Sequence, residues 1–403
     1  MSAVGDIAES LSSLAVSIQS RSCDASALTR ALRAAAAALQ GVDDTRILDV
    51  VRALVERHDV CGLPPPLPQP CVEFSAPLAD LDSWSFDVFA LPLVGLSTQL
   101  SADPPSSDEA AVGEARLEAV AVELVCQSAE SLPVSRDAAR AFVRAIRAKY
   151  APHPAFHNWY HGVSVAHATH LLLFSEGAQH LSALQKFAAV LAALSHDAGH
   201  TGHTNEFEVL TACAASLAHV HADSVLERNS AHILSDALAL SGVLRGLSSA
   251  DAHAVRTTAV SAILGTDMCR HARSVAAAEA ADSARLIAGD AHARLELVEL
   301  IVHTADLSGF SYASHATCVQ WSSRIQQEFK ATAEEEVRRG LRAADSSSSL
   351  ADDANASQVG FIRRTVLPLW LGMRRVLGEA LDEPLNNIRM NEREFEKKCS
   401  GGQ

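Results

Sequence analysis

An all-α fold of many helices is what this sequence predicts, on three observations. Hydrophobic residues make up 48% of the 403 residues but aromatics only 5%, and the abundant Ala and Leu favour helix over sheet. Gly and Pro, at 20 and 14, are sparse outside a few stretches. No dependable run of alternating apolar and polar residues marks a strand.

Taken in order, residues 1 to about 60 read as helices: Ala27 to Leu39 is alanine-rich, and Thr45 to His58 carries apolar residues at helical spacing ahead of Cys61-Gly62. Leu63-Pro64-Pro65-Pro66-Leu67-Pro68-Gln69-Pro70 is a stiff, extended linker. The boundary belongs there, giving a helical extension and linker over 1–75, a main domain over 76–395 and a tail over 396–403. Ser101 to Ser107 reads as a loop. Leu184 to Leu194 is a buried-helix candidate leading into His196, and Leu295 to His303 plays the same part before Asp306. Ala343 to Ser357 reads as a second loop, ending beside Gln358, where it could gate a pocket.

Three clusters carry the chemistry: His157-Asn158-Trp159-Tyr160-His161, His196-Asp197-Ala198-Gly199-His200 and His303-Thr304-Ala305-Asp306. Imidazoles and carboxylates from three separate segments are the donor set of a divalent-metal hydrolase. Adjacent His196 and Asp197 offer one ion a nitrogen and an oxygen, and the second carboxylate oxygen can bridge to another ion. His200, four residues after His196, shares its helical face and is read as orienting a ligand. The inner set is then His161, His196, Asp197 and Asp306, with His157 unassigned. Any single one of the 18 histidines has a plainer reading as a surface or hydrogen-bonded core residue; the clusters in this order do not.

The sequence resembles the class I cyclic-nucleotide phosphodiesterases from about Trp84 to about Arg375. Six motifs in family order carry the resemblance: Phe156-His157-Asn158-x-x-His161, His196-Asp197-x-x-His200-x-Gly202-x-x-Asn205, Ser224-Val225-Leu226-Glu227, Gly265-Thr266-Asp267-Met268-x-x-His271, His303-x-Ala305-Asp306-Leu307-Ser308, and Ser357-Gln358-Val359-Gly360-Phe361-Ile362 followed by Pro368-Leu369-Trp370. The implied fold is a compact multi-helix phosphodiesterase catalytic domain with an N-terminal helical extension. The resemblance implies a tight, zinc-like site at His161, His196, Asp197 and Asp306, and a second Mg²⁺ or Mn²⁺ bridged by Asp197 and held mostly through water. It implies His157 as general acid and His200, Asn205 and Glu227 as residues holding the metal waters and ligands. Gln358 would read the purine, Phe361 and Ile325 would clamp its faces, and Trp321 and Met268 complete the implied substrate-binding set.

The reaction makes sense of these parts. A cyclic phosphodiester is a poor anionic electrophile, so its hydrolysis needs an activated water, neutralised phosphoryl oxygens and a proton for the departing 3′ oxygen. The amide of Gln358 has one acceptor and two donors for a purine edge. The expected reaction is hydrolysis of a 3′,5′-cyclic nucleotide, with cAMP favoured because Gln320-Trp321-x-x-Arg324-Ile325 and Ser357 to Phe361 are closer to the cAMP-specific branch. The alternatives are a dual-specificity or cGMP enzyme, another phosphohydrolase with the same ligand pattern, and a silent nucleotide-binding relative. The chain departs from the family at Phe156 (tyrosine), Gly162 (alanine), Gly199 (aspartate), Thr201 (proline), Asn229 and Ser230 (a His-His pair), Gly309 (asparagine) and Cys318 (tyrosine).

A formal net charge of −15 argues against a nucleic-acid or anionic-membrane binder, which needs basic patches. Eight cysteines without a C-x-x-C motif fit a reducing cytoplasm better than a disulfide scaffold. No signal-peptide pattern and no run of about 18 apolar residues is present. The N-terminal segment carries no recognisable sensor motif and reads first as a helical extension packed on the main domain or loosely tethered, with a homodimer contact or a cover for the mouth of the enzyme as the alternatives.

Overall fold

The computed structural model describes residues 81–89, 107–211, 223–341 and 354–400, all within the unit Phe74–Gln403. The extension expected over 1–75, with its helices and Pro-rich linker, lies outside the described residues, as do positions 101–106 of the first expected loop. In chain order the helices are α1 (Ser107–Ser128), α2 (Arg136–Arg147), α3 (Trp159–Leu173), α4 (Ala183–Ser195), α5 (Asn205–Leu210), α6 (Val225–Ser241), α7 (Ser249–Gly265), α8 (His271–Ala280), α9 (Ser283–Ile287), α10 (Ala291–Asp306), α11 (His315–Arg338), α12 (Ala354–Phe361), α13 (Leu367–Leu377) and α14 (Asp382–Ser400). No strand occurs among the described residues, so the all-α expectation holds.

The centre is α4, which packs against α3, α7 and α10. Its start is set by a capping box, in which Gln185 N–H donates to Ser182 Oγ (3.3 Å) and Ser182 N–H donates to Gln185 Oε1 (3.0 Å). Every residue from Phe187 to Ser195 is buried, as a helix apolar all round must be. Phe187, Val190, Leu191 and Leu194 are each 0% exposed, and each contributes about 1.5–3 kcal/mol of burial. The Asp290 carboxylate starts α10 by accepting from the N–H groups of His292 (2.9 Å) and Ala293 (3.1 Å), and Asn158 starts α3 by accepting from Tyr160 N–H (3.0 Å). The helices expected before His196 and Asp306 are α4 and α10.

The C-terminal part differs from expectation in two places. Positions 354–357, read as the end of a loop, belong to α12, because α12 packs on α14 and tertiary burial outweighs the loop-like Ser and Asn content. Between α12 and α13 lies a π turn, Ile362–Val366, in which Leu367 N–H donates to Ile362 O. Pro368 accounts for it: its ring would press on the carbonyl of Arg364 in a regular α-helix and has no N–H to give, and the wider turn relieves both. Helix α14 runs past position 395, where the tail is expected to start, as far as Ser400.

Candidate metal centre

The packing around α4 brings the first turn of α3 to the ends of α4 and α10. His161 is in the first turn of α3, His196 caps α4 with Asp197 next, and Asp306 is the last residue of α10. Helix C-termini carry partial negative charge, so two of them aimed at one point favour a cation there. His161 Nε2 lies 3.2 Å from His196 Nε2, 3.0 Å from Asp306 Oδ1 and 3.3 Å from Asp197 Oδ2. His196 Nε2 lies 3.1 Å from Asp197 Oδ2 and 3.3 Å from Asp306 Oδ1.

These residues fit a divalent ion. His196 Nδ1 is 2.8 Å from Ala193 O, so Nδ1 carries the proton and donates it there, leaving a lone pair on Nε2. That lone pair faces the Nε2 of His161, an arrangement stable only with a proton or a cation between them. A tetrahedron with bonds of about 2.0–2.1 Å has edges of about 3.3–3.4 Å, close to the observed spacings. Electrostatics shows the same hunger for positive charge: burial pulls the His196 imidazolium down, but Asp197 and Asp306 more than reverse this and raise it well above the ordinary histidine value. Burial pushes the Asp197 carboxyl up, yet His196 and His157 hold it well below the ordinary range, and His196 and His161 do the same for Asp306. A bound ion replaces those protons.

His157 sits apart from this set. Its Nδ1 pairs with Glu328 Oε1, while Glu328 Oε2 accepts from the N–H groups of Phe156 (2.8 Å) and His157 (3.1 Å). The His157 ring stacks on His200 at 4.0 Å, and its side chain remains 23% exposed against 5% for Glu328, so it can reach a substrate. Burial lowers the His157 pKa, but the Asp197 and Glu328 carboxylates outweigh it and raise the value. Burial pushes Glu328 up, and its bonds to His157 bring it down to about 2. His200 drops to about 3 through burial and the neighbouring His157 charge. His157, His200 and Glu328 form a second group of potential donors, but Gly202 N–H donates to His200 Nδ1 (3.0 Å). The neutral His200 ring therefore carries its proton on Nε2, and both Glu328 oxygens are engaged. With those nitrogens and oxygens already engaged, this second group is not arranged to offer its donors to one ion.

Asn205 and Glu227 meet as a pair: Asn205 Nδ2 donates to the Glu227 carboxylate (3.0 and 3.3 Å), and Asn205 Oδ1 accepts from Leu226 N–H (2.9 Å). Burial lifts Glu227 to about 7, with Asp267 and Asp197 adding to the rise against Asn205. The entry to α6 is strained, since Ser224 has φ 59° and ψ 49° and is the one non-glycine residue of positive φ among the described residues. Its hydroxyl donates to Asp267, and such strain, about 1–3 kcal/mol, clusters at functional sites. His303 is buried against His271, with nitrogens 3.0 Å apart, and takes no part in the ligand set.

On the side expected to read the base, Gln358 is 7% exposed and its Oε1 accepts from Ser322 Oγ (3.3 Å). Trp321 is buried, with ring centroids 4.6 Å from Phe89, 5.5 Å from Phe156 and 5.9 Å from His161. Phe361 is half-buried, 6.0 Å from the ring of Phe310 in the turn after Asp306. Ile325 is half-buried on α11, one turn beyond Trp321. Met268 is 46% exposed and follows Asp267, on the Glu227 side.

Two of the family departures, Gly199 and Asn229, meet in space. A Cβ at Gly162 would stand 2.6 Å from the Tyr150 hydroxyl, which donates to Leu194 O (3.0 Å). Gly199 has φ +81°, and a Cβ there would stand 2.8 Å from the amide of Asn229 and 2.7 Å from Ile233, so glycine at 199 and asparagine at 229 go together. Ser230 donates to Ala198 O (3.0 Å) and holds the turn after Asp197. At Gly309 a Cβ would lie in ordinary contact, 3.5 Å from Trp321, so packing does not demand this glycine.

Glu328 is the residue that sequence reasoning missed. Its signal was present: Trp321, Ile325 and Glu328 follow at helical spacing, and a carboxylate on the face that buries Trp321 needs a partner.

A family model for the 3′5′-cyclic nucleotide phosphodiesterases matches residues 156–388. The chain is similar to the dual specificity calcium/calmodulin-dependent 3′,5′-cyclic nucleotide phosphodiesterase 1C of Mus musculus, 30% identical over 72% of this chain and 39% of that protein. It is also similar to the 3′,5′-cyclic-AMP phosphodiesterase 4C of Mus musculus, 24% identical over 80% of this chain and 46% of that protein. The chain thus spans less than half the length of these relatives. The phosphodiesterase domain of the Salpingoeca rosetta rhodopsin phosphodiesterase superposes with a TM-score of 0.67 at 26% identity, covering 80% of this chain and 93% of that one.

Proposed function

Because the chain belongs to the 3′,5′-cyclic nucleotide phosphodiesterase family, we propose that it hydrolyses a 3′,5′-cyclic nucleotide to the 5′-monophosphate. The observation that carries this reading is the convergence of His161, His196, Asp197 and Asp306 beside a separate, solvent-reachable His157–Glu328 pair. Divalent ions, Zn²⁺ on the four converging residues and Mg²⁺ or Mn²⁺ shared through Asp197, would supply charge neutralisation at phosphate and a water of lowered pKa. The chain's own residues do the rest. Glu328 accepts the Nδ1 proton of His157, which turns Nε2 outward to give its proton to the departing 3′ oxygen. Glu328 is also the part of the His157 pKa rise that remains when a cation neutralises Asp197. His200, kept neutral, lies flat against His157 and limits its rotation. Glu227, near neutrality in pKa and held by Asn205, is suited to exchange protons with water at the Asp197 side.

For the base, Gln358 offers its amide and Phe361 and Ile325 its apolar walls, with Trp321 beneath. Ser322 supports a second reading besides a cAMP preference. A hydroxyl donates or accepts equally well, so it does not lock the Gln358 amide, and turnover of both cAMP and cGMP follows. The test is metal analysis of purified protein together with turnover of both nucleotides, watching for the 5′-monophosphate. Metal-loaded protein that cleaves neither nucleotide would overturn the proposal; cleavage of cAMP alone would overturn the second reading.

A further inference from the structure

Arg324 stands four residues before Glu328 on the same helix. It is half-buried on α11, and no carboxylate pairs with it among the described residues. Its guanidinium lies 4.7 Å from the Phe89 ring centroid and 5.7 Å from that of Tyr160, and Nη1 donates to Ala155 O (3.2 Å). Burial lowers its pKa. A desolvated charge without a counterion is costly, and aromatic faces plus one carbonyl recover only part of that cost.

The Ala155 carbonyl and the Phe156 N–H belong to the same peptide plane. Arg324 holds its oxygen, and Glu328, one helical turn further along α11, accepts from its N–H (2.8 Å). A cation and an anion at i and i+4 on one helix thus hold the two poles of a single peptide dipole. Asn158 Nδ2 also donates to Ala155 O (3.0 Å) and to Pro154 O (2.9 Å). The next residue is His157, whose N–H goes to the same Glu328 oxygen. We propose that Arg324 is a positioning residue for the proton donor: by holding the Ala155–Phe156 peptide plane against Glu328 it sets where the His157 ring stands over the metal centre. Phe89 and Tyr160 keep the guanidinium flat in that place, which a lysine ammonium could not reproduce.

This inference rests on the reading of His157 as proton donor, and leaving groups separate the two. The departing alkoxide of a cyclic nucleotide needs a proton, whereas the p-nitrophenolate of bis(p-nitrophenyl) phosphate leaves without one. In the metal-loaded full chain, Arg324→Ala should lower kcat for the cyclic nucleotide by about 10–100-fold, the scale of a small misplacement of a catalytic group. It should leave the p-nitrophenyl rate within a few-fold, and hydrogen exchange of the Phe156 and His157 amides should speed up. Arg324→Lys, which keeps the charge, should show the same pattern more weakly and serves if the alanine variant does not fold. An equal fall on both substrates, or a normal cyclic-nucleotide rate with unchanged exchange, overturns the proposal. His157→Ala is the reference: if it lowers both substrates alike, the donor reading fails, and exchange alone then judges Arg324, with unchanged exchange overturning it.

Discussion

The metal end and the base end of the site are built differently. At the metal end, four donors come from three helix termini that meet beside the buried C-terminal part of α4, and the two histidines lie 3.0 to 3.3 Å from each other and from both carboxylates. At the base end, Gln358 and Phe361 stand on a short helix that packs on α14 just before a π turn, with the Gln358 amide on the Ser322 hydroxyl and the Phe361 ring beside Phe310. Helix termini anchored in a packed core have nowhere to move, since interiors are as dense as crystals. Side chains on a later helix with neutral contacts can be retuned at small cost. On the proposed reading, the reaction class belongs to the rigid end and nucleotide preference to the other.

The largest expected effect is at the rigid end. Asp197→Ala should lose one or both ions and bring turnover below detection, checked by metal analysis beside a rate assay; near-normal activity with both metals retained would break the comparison. Next comes the proton donor. His157→Ala should cut turnover by about 10²–10⁴ with metal content nearly intact, and a joint loss of metal and rate would make His157 a ligand. Glu328→Gln sharpens this through pH. A donor must be protonated, so the rate falls as pH rises through its pKa. Without the Glu328 charge that pKa drops, and the alkaline limb of the pH–rate profile should move to lower pH.

Effects at the base end should be smaller and confined to substrates with a base. Phe361→Ala should raise KM for cyclic nucleotides by roughly 5–150-fold, the range of a lost stacking face, and Gln358→Ala should weaken them similarly, while bis(p-nitrophenyl) phosphate is cleaved as before. If both substrates suffer, these residues support the fold and not the base. Ser322→Ala is the smallest: losing one neutral hydrogen bond, about 0.5–1.5 kcal/mol, should change the ratio of cAMP to cGMP turnover by roughly 2–10-fold, and an unchanged ratio would remove Ser322 from specificity.

Much of this was legible because the informative residues are local. His196-Asp197 and His157-x-x-x-His161 are written within one or two turns, and the apolar runs before His196 and Asp306 become α4 and α10. The residues that eluded sequence reading act over distance. Glu328 reaches His157 across 171 positions, and a carboxylate inside a charged helix looks like any solvated one until the helix face is known. Positions 354–357 misled for the related reason that their composition is loop-like and only α14 makes them helical.

By itself, then, the sequence determined the all-α class and the phosphodiesterase family and marked out the proposed ligand quartet, because helix propensity, donor type and short spacing are properties of neighbouring residues. Tertiary structure alone decided how each histidine nitrogen is partnered, since tautomer follows from neighbours such as Ala193 O, Gly202 N–H and Glu328. It alone joined Gly199 to Asn229 and Gly162 to Tyr150, and it alone set Arg324 and Glu328 on the two poles of one peptide. Those contacts depend on how helices distant in sequence pack, and packing is a property of the whole core.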